Sequence, residues 1–255
     1  MSLSLLQLAA VGGAGLLAGA INAIAGGGTL LTFPMLMGAG LSPTSANVTN
    51  TVALTPGYLG GTYAQRHDLE GQRNRARNLA IPAILGGVAG GAVLLLVGND
   101  VFRALVPWLI LIATVLFAAR PYLRRWELGF VAHHHITRHP VLTPIVAFIG
   151  AVYGGFFGAA LGIILMALYG LVIPDTLLRI NVLKQLTEVL ANGCAAVLFA
   201  FTGLVAWDAA LVLGIGALVG GVFASRHVHL FPQKLLHRIV VGFGSAITVW
   251  YFIAG

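Results

Sequence analysis

The chain has 255 residues, of which 58% are hydrophobic and only 8% are Asp, Glu, Lys or Arg. A soluble domain carries about 25% charged residues, so this composition excludes an ordinary soluble protein. The mean hydropathy of +0.95 instead predicts a chain embedded in lipid. The net charge of +7 is carried by short loops between apolar runs. That distribution is typical of a membrane protein and argues against nucleic-acid binding.

Apolar or helical segments, about ten in number, follow one another along the chain. Most reach the roughly 20 residues that a helix needs to cross the hydrocarbon core of a bilayer. The first begins at Leu3 with no basic stretch before it, so we expect it to be retained in the mature chain. The predicted segments are residues 3–25, 28–40, 44–65, 79–98, 101–119, 141–158, 160–173, 176–201, 206–225 and 235–253.

Two of these segments are too short to span a membrane as straight helices. Segments 28–40 and 160–173 have about 13 residues, or about 20 Å of helix. Each follows a glycine-rich break, at residues 26–28 and 154–158 respectively. Backbone that is not helical is tolerated at membrane depth only where it is buried in protein or lines a water-filled cavity. We therefore expect broken or re-entrant helices here, with a functional site beside them.

The two halves of the sequence repeat the same order of elements. Displacing residues 15–95 by 134 positions places Gly28 on Gly162 and Asn47 on Asn181. Each half has about five segments, an odd number, so the second half enters the membrane in the opposite orientation. The sequence thus predicts an all-α polytopic membrane protein built from two inverted repeats, the usual architecture of secondary transporters.

The predicted organisation is a first membrane repeat at 1–119, a basic cytoplasmic linker at 120–140 and a second membrane repeat at 141–255. The arginine-rich stretch 66–77, the linker and the basic stretch 226–238 are all expected in the cytoplasm. With ten segments, this orientation puts both termini outside the cell. The lipid bilayer is the expected partner, and a homo-oligomer is left open.

The first candidate site is the stretch that contains Asn22, Gly26, Gly27, Gly28 and Thr29. Its glycines allow the backbone to approach a ligand closely. The short helix that follows presents unpaired N–H groups and the positive end of its dipole, which bind anions. The alternative is that the glycines only permit tight crossing of helices.

The second candidate site opens the third segment. Asn47, Asn50 and Thr51 fall at i, i+3 and i+4 on one helix face, and polar groups are costly against lipid. That face is therefore expected to point into the bundle or a cavity. Capping of the helix, which we expect from Thr44 or Ser45, does not account for these three residues.

The matching stretch of the second half contains Asn181, Lys184, Gln185 and Glu188. A cation inside a membrane helix indicates a functional site, so Lys184 is expected near the substrate. The alternative is a self-satisfied ion pair, because Lys184 and Glu188 stand at i and i+4. Any coupling of transport is expected to be to protons or to the membrane potential, and Glu188 is the candidate coupling residue because it is the only obvious buried carboxylate in the sequence. Arg179 is expected at the helix entry, near the lipid headgroups.

Two stretches of the sequence resemble a known family. The run GAINAIAGGGTLLTFPMLMGAGLSPTSANVTNTVAL, beginning at Gly19, resembles the first half of the sulfite-exporter permeases of the TauE/SafE type. The runs GGFFGAALGIILM and RINVLKQLTE are similar to the weaker second repeat of that family. The motif positions matched in the first half are residues 22–29, Pro34 and residues 47–51. Phe156, Phe157 and the pair at 159–160 depart from the glycine-richer motif of the second half, so the resemblance does not fix the substrate contacts there.

The resemblance implies a permease of the bacterial inner membrane that moves small sulfur-containing anions, such as sulfite, sulfoacetate or related organosulfonates. We therefore expect a secondary transporter that works by alternating access around an anion site near the middle of the membrane. The alternatives are an anion channel, or a carrier for another small organic or inorganic anion. No cofactor is implied.

Two further features of the sequence suggest metal binding and catalysis, but the residues around them support neither. His133, His134, His135 and His139 lie in a basic stretch where adjacent histidines cannot all turn to one metal ion, so no metal site is expected. Ser245 has no buried histidine at helical spacing on another span to activate it, and a serine without a base is a poor nucleophile. The chain is therefore not expected to be an enzyme.

Overall fold

The computed structural model describes residues 3–24, 27–64, 66–133, 141–226 and 233–254. Within these residues the fold is entirely helical, with nine α-helices and one short 3-10 helix, Arg66–Leu69. The α-helices are α1 Leu5–Ile24, α2 Thr29–Gly38, α3 Pro43–Ala64, α4 Arg73–His133, α5 Leu142–Phe156, α6 Leu161–Val172, α7 Leu177–Ala200, α8 Trp207–Arg226 and α9 Gln233–Ala254.

Helix α4 contains two of the predicted segments. Gly98 interrupts it with a φ of 76°, a left-handed conformation that glycine adopts without steric cost. The interruption separates a first arm, 73–97, from a second arm, 99–133. The second arm continues through residues 120–133, so helix covers the first part of the predicted linker. The remainder of that linker, 134–140, lies outside the described residues.

Several helices have the length and apolar character needed to cross a membrane. Among the described residues these are four stretches: Leu5–Asn22, Arg73–Leu123, Leu177–Ala200 and Trp207–Ala224. The second of these covers the first arm of α4 and the second arm as far as Leu123. Helix α3 has 22 residues, but its first half is rich in hydroxyl and amide side chains. The prediction of an all-α, multi-pass membrane protein is confirmed.

The two short helices follow the two predicted breaks. Helix α2 has 10 residues and α6 has 12, about 15 Å and 18 Å of helix respectively. Before α6, Gly158 has a φ of 74° and Ala160 a φ of 60°. A left-handed conformation is uncommon for a residue other than glycine, so the backbone at Ala160 is held there by its surroundings. Before α2, Gly27 has a φ of 94°, so both short helices follow a stretch of non-helical backbone.

Glycines let pairs of helices approach to backbone contact. A Cβ atom added at Gly15 of α1 would lie 2.5 Å from the carbonyl oxygen of Leu213 on α8. One added at Gly86 of α4 would lie 2.5 Å from the carbonyl oxygen of Phe148 on α5. Small residues at such crossings are the common way for membrane helices to pack, since no hydrophobic force drives them together.

These contacts are reciprocal between the two halves of the chain. Helix α1 of the first half packs along α8 of the second half. Helix α5 of the second half packs along the first arm of α4, which belongs to the first half. Helix α3 packs against α7, and each of them also packs against the helix that follows the other in the chain. Helix α3 contacts α8, and α7 contacts α4. The same exchange is expected of two repeats related by a two-fold axis. The orientation of the halves in a membrane stays a prediction.

The beginning of α3 differs from the sequence-based expectation. The N–H of Ser45 donates to the hydroxyl of Ser42 at 3.3 Å, so Ser42 caps the helix and Pro43 occupies its first position. Thr44 instead contacts the side-chain oxygen of Asn99, and the hydroxyl of Ser45 donates to the carbonyl oxygen of Leu204 at 2.7 Å. The prediction that Thr44 or Ser45 caps α3 was wrong because both hydroxyls have tertiary partners.

Candidate functional site

The break before α2 is held by a side chain of α1. The N–H of Gly28 donates to the side-chain oxygen of Asn22 at 2.7 Å. A Cβ atom at Gly28 would lie 2.6 Å from the carbonyl oxygen of Ala18, and one at Gly27 would strike the ring of Phe117. The glycines thus make room for close packing, and one of the predicted anion-binding N–H groups is already engaged by Asn22. Gly26 lies outside the described residues.

The first turn of α2 is joined to the polar face of α3. The hydroxyl of Thr32 contacts both the carbonyl oxygen of Gly28 and the side-chain oxygen of Asn50. Thr29, Thr32 and Asn50 are all buried. The break and the polar stretch of the first half, predicted separately from the sequence, therefore form one continuous polar region.

Asn47 and Thr51 also face the interior, as the i, i+4 spacing predicted, and both are buried. The side-chain amide of Asn47 donates to the carbonyl oxygen of Phe156, at the end of α5, at 2.9 Å. The side-chain oxygen of Asn47 is buried and accepts no hydrogen bond within the described part of the chain. Thr51 donates to the carbonyl oxygen of Asn47 at 2.9 Å. Asn47 thus links the first repeat to the break of the second.

In the second half, Lys184 and Glu188 form an ion pair on α7. The distance between Nζ of Lys184 and Oε2 of Glu188 is 3.2 Å, and the side chains are 16% and 11% exposed. A Cβ atom at Gly162, in the first turn of α6, would lie 2.6 Å from Oε1 of Glu188 and 3.1 Å from Nζ of Lys184. The pair therefore rests against the amino-terminal end of a short helix, where the helix dipole is positive.

A tyrosine connects the polar regions of the two halves. The hydroxyl of Tyr58, on α3, interacts with the side chain of Thr29 and lies within electrostatic reach of Glu188. Tyr169, on α6, also lies within electrostatic reach of Glu188, and its hydroxyl is 2.7 Å from Oγ1 of Thr187. Tyr58 thus links Thr29 of the first half to the ion pair of the second, and we call Thr29, Tyr58, Lys184 and Glu188 the central cluster.

Two other predicted residues lie on the same face of α7. Asn181 precedes Lys184 by three residues and Gln185 precedes Glu188 by three, so all four follow one helical stripe. Both Asn181 and Gln185 are partly buried. The side-chain oxygen of Gln185 is buried and lacks a hydrogen-bond partner among the described residues. A buried acceptor of this kind needs a donor, such as water or a ligand.

At the arginine-rich end of the molecule, a second charged cluster joins the halves around Asp175, which lies outside the candidate membrane spans. Asp175, between α6 and α7, pairs with Arg75 of the first half and with Arg179, whose Nε lies 3.1 Å from Oδ1 of Asp175. Gln72 donates to the carbonyl oxygen of Arg179 at 3.2 Å. Burial alone would raise the pKa of Asp175, but the N–H of Thr176 and the two guanidinium groups outweigh it and hold the pKa below its usual value.

Sequence reasoning missed several members of these clusters. Thr32 follows Thr29 by three residues and Tyr58 follows Thr51 by seven, so helical spacing was the signal that could have found them. Asn192 stands four residues after Glu188 and donates to its carbonyl oxygen at 2.8 Å. The pairing of Arg75 with Asp175 has no local signal, because 100 positions separate them.

Only part of the residues weighed for metal or enzyme chemistry is described by the structure. The side chain of His133, and all of His134, His135 and His139, fall outside the described residues. Ser245 lies on the exposed side of α9.

Comparison with known proteins gives a consistent result. The family described as Sulfite exporter TauE/SafE matches residues 11–251. "Probable membrane transporter protein YfcA" of Escherichia coli (strain K12) is 30% identical over 234 residues, covering 89% of this chain and 82% of the relative. "Probable membrane transporter protein ORF9" of a Sinorhizobium species is 28% identical over 241 residues, covering 92% and 88%. A "Probable membrane transporter protein" of Haemophilus influenzae is 27% identical, covering 89% and 87%. No solved structure matches the chain.

Proposed function

Because this chain belongs to the TauE/SafE sulfite-exporter family and is a multi-pass membrane transporter, we propose that it carries a small sulfur-containing anion, such as sulfite or an organosulfonate. The family described as sulfite exporters supports the sulfur-containing anion. Membership of a transporter family also favours transport over catalysis.

The observation that carries the proposal is the buried cation at the junction of the two halves. Lys184 lies at the amino-terminal end of α6, and the hydroxyl of Tyr58, which interacts with Thr29, lies within electrostatic reach of its partner Glu188. An ammonium group, hydroxyl donors and the positive end of a helix all favour an anion. A charged side chain is costly inside a membrane unless it serves a partner or a pathway. The proposed binding residues are Asn22, Gly26, Gly27, Gly28, Thr29, Asn47, Asn50, Thr51, Asn181, Lys184 and Gln185, and we add Tyr58 to them.

The proposed mechanism is alternating access between two inverted repeats. The reciprocal packing of α1 on α8 and of α5 on α4 supports a two-fold relation of the halves. In such transporters the site lies near the middle of the membrane at the interface between repeats, beside discontinuous helices. The short helices α2 and α6 follow the two glycine-rich breaks, which supports a site beside them. One half would rock against the other to expose the cluster to each side in turn.

We place the protein in the bacterial inner membrane, with the arginine-rich end of the molecule in the cytoplasm and both termini outside. Under this orientation the cluster of Asp175, Arg75 and Arg179 lies at the cytoplasmic face. We also propose that copies of the chain can associate in the membrane. The molar mass of the detergent-solubilised protein would show whether it is a monomer or an oligomer.

The direct test is uptake into proteoliposomes that contain the purified protein. Labelled sulfite, thiosulfate, sulfate and sulfoacetate would be compared, with empty liposomes as the control. Saturable uptake of sulfite or sulfoacetate, and its competition by the unlabelled anion, is the expected result. A channel would instead give ionic currents far above carrier turnover and no counterflow. Uptake of none of the sulfur anions would refute the proposed substrate class.

A further inference from the structure

We propose that Glu188 takes up one proton each time a monovalent anion binds beside Lys184, so that the anion and the proton cross the membrane together. This inference rests on the proposed anion transport. It adds the coupling ion and the residue that carries it.

The charges of the central cluster are already balanced when no substrate is present. Lys184 and Glu188 are 3.2 Å apart and largely buried, and together they are neutral. An anion that joined this pair would leave one negative charge without compensation. Uncompensated charge is very costly in a buried environment, because water no longer stabilises it. The site therefore needs a second positive charge for each anion that it accepts.

The groups around Glu188 limit where that charge can come from. Among the described residues, the titratable side chains that interact electrostatically with Glu188 are Lys184 on its own helix, Tyr58 on α3 and Tyr169 on α6. The two tyrosines can donate hydrogen bonds but supply no positive charge. The guanidinium of Arg179, further toward the start of α7, is engaged by Asp175. A proton on Glu188 is the remaining source.

The position of Glu188 makes it a direct competitor of the substrate. Its Oε1 lies against Gly162, in the first turn of α6, and the ammonium group of Lys184 faces the same point. The carboxylate thus occupies the place where the helix end and the ammonium group would both attract an anion. An incoming anion must displace the carboxylate from Lys184, and a carboxylate that loses its cation in a buried site gains most from protonation.

The transport step can be written with its charges balanced. At the open face, water supplies a proton that forms an O–H bond with a carboxylate oxygen of Glu188, and Lys184 exchanges Glu188 for the anion. At the opposite face the anion leaves, the O–H bond of Glu188 breaks, the proton returns to water, and the pair of Lys184 with Glu188 re-forms. Each cycle moves one anion and one proton, so no net charge crosses the membrane.

The test uses proteoliposomes and isethionate, a sulfonate that stays a monoanion across the working pH range. With the inside alkaline by one pH unit, coupling of one proton to one anion should accumulate isethionate about tenfold. A pH-sensitive dye inside the vesicles should report proton entry in step with the anion. An imposed membrane potential should change neither the rate nor the final level, because the cycle is electroneutral.

The decisive variant is Glu188→Gln, which resembles the protonated carboxyl group. It should exchange internal for external isethionate, since exchange requires only the loaded form. It should lose the tenfold accumulation, because its empty form leaves Lys184 unpaired and returns slowly. Glu70→Gln makes the same chemical change at an exposed side chain and should accumulate isethionate as the natural protein does.

The outcomes separate this inference from the proposed function. If the natural protein moves no sulfur anion in any mode, the proposed function fails. If it transports isethionate but a pH gradient drives no accumulation, or the dye detects no proton entry, the inference fails and the transport function stands. Glu188→Gln that accumulates isethionate as the natural protein does would also overturn it, as would a folded variant without exchange. Should the variant not fold, the dye measurement on the natural protein decides the question.

Discussion

Removing the charge of Lys184 distinguishes a residue that binds the anion from one that only neutralises Glu188. At 3.2 Å, the attraction between the two charges is about 5 kcal/mol at an effective dielectric constant of about 20. Desolvation offsets much of this attraction, so the intact pair adds little net stability. Breaking the pair by removing one partner costs much more than the intact pair contributes. Lys184→Gln leaves Glu188 largely buried and unpaired, which lowers the free energy of unfolding by about 3–5 kcal/mol unless the carboxyl group takes up a proton.

The double variant Lys184→Gln/Glu188→Gln contains no charge at either position. Its free energy of unfolding should therefore recover most of what Lys184→Gln loses. If Lys184 binds the anion, the affinity should remain about 10- to 100-fold below that of the natural protein, the loss expected for a hydrogen bond to a charged group. Stability would be restored while binding stays weak.

The measurements are thermal unfolding of the purified protein in detergent and anion binding at equilibrium. Glu70→Gln provides the matched control, because its side chain is 80% exposed and its pairing with His67 contributes little. A double variant that binds and transports the anion as well as the natural protein would refute the assignment. Lys184 would then be a structural partner of Glu188 and nothing more.

Three further predictions follow from particular contacts. Asp175→Asn should destabilise the protein by about 1.5 kcal/mol near neutral pH. Because folding lowers the pKa of Asp175, its contribution to the free energy of unfolding is present above about pH 4 and is lost as the pH falls through the folded-state pKa. The stability of the variant, measured by thermal unfolding, should therefore fall less on acidification than that of the natural protein. Gly162→Ala should reduce transport, because its Cβ would lie 2.6 Å from Oε1 of Glu188 and would push the end of that side chain aside. Gly242→Ala, in open space, should leave transport unchanged, and equal flux in both variants would contradict the packing argument. A cysteine placed at Arg73 should react with a membrane-impermeant reagent only after the cells are opened, and labelling in intact cells would reverse the predicted orientation.

The parts of the fold that depend on local pattern could be predicted from the sequence. Apolar length gave the spans, and the glycine-rich breaks marked the starts of α2 and α6. The pair of Lys184 with Glu188 was also foreseeable, because residues four apart on a helix are neighbours. Each of these features is decided within a few turns of one helix.

The parts that depend on tertiary packing could not be predicted. Tyr58 comes within electrostatic reach of Glu188 only because α3 packs against α7, and no spacing along the chain predicts that contact. Asn22 occupies the N–H of Gly28, a contact that the glycine pattern alone leaves open. The cap of α3 was misplaced for the same reason, since Ser45 is drawn to a distant carbonyl group. Polar residues of similar type compete for such roles, and the packing selects among them.

The difference between the two halves at corresponding positions bears on how the transporter would work. The offset that aligns Gly28 with Gly162 also aligns Asn50 with Lys184 and Leu54 with Glu188. The first half thus has a neutral amide, hydrogen-bonded to Thr32, where the second half has a charged pair. Two identical charged halves would place two cations and two carboxylates around one small anion, at a much higher desolvation cost. With one neutral half, the first repeat contributes hydrogen-bond donors and the second contributes the only exchangeable charge pair at these aligned positions. A single anion and a single proton then suffice to load the site, which is the stoichiometry that the accumulation experiment measures.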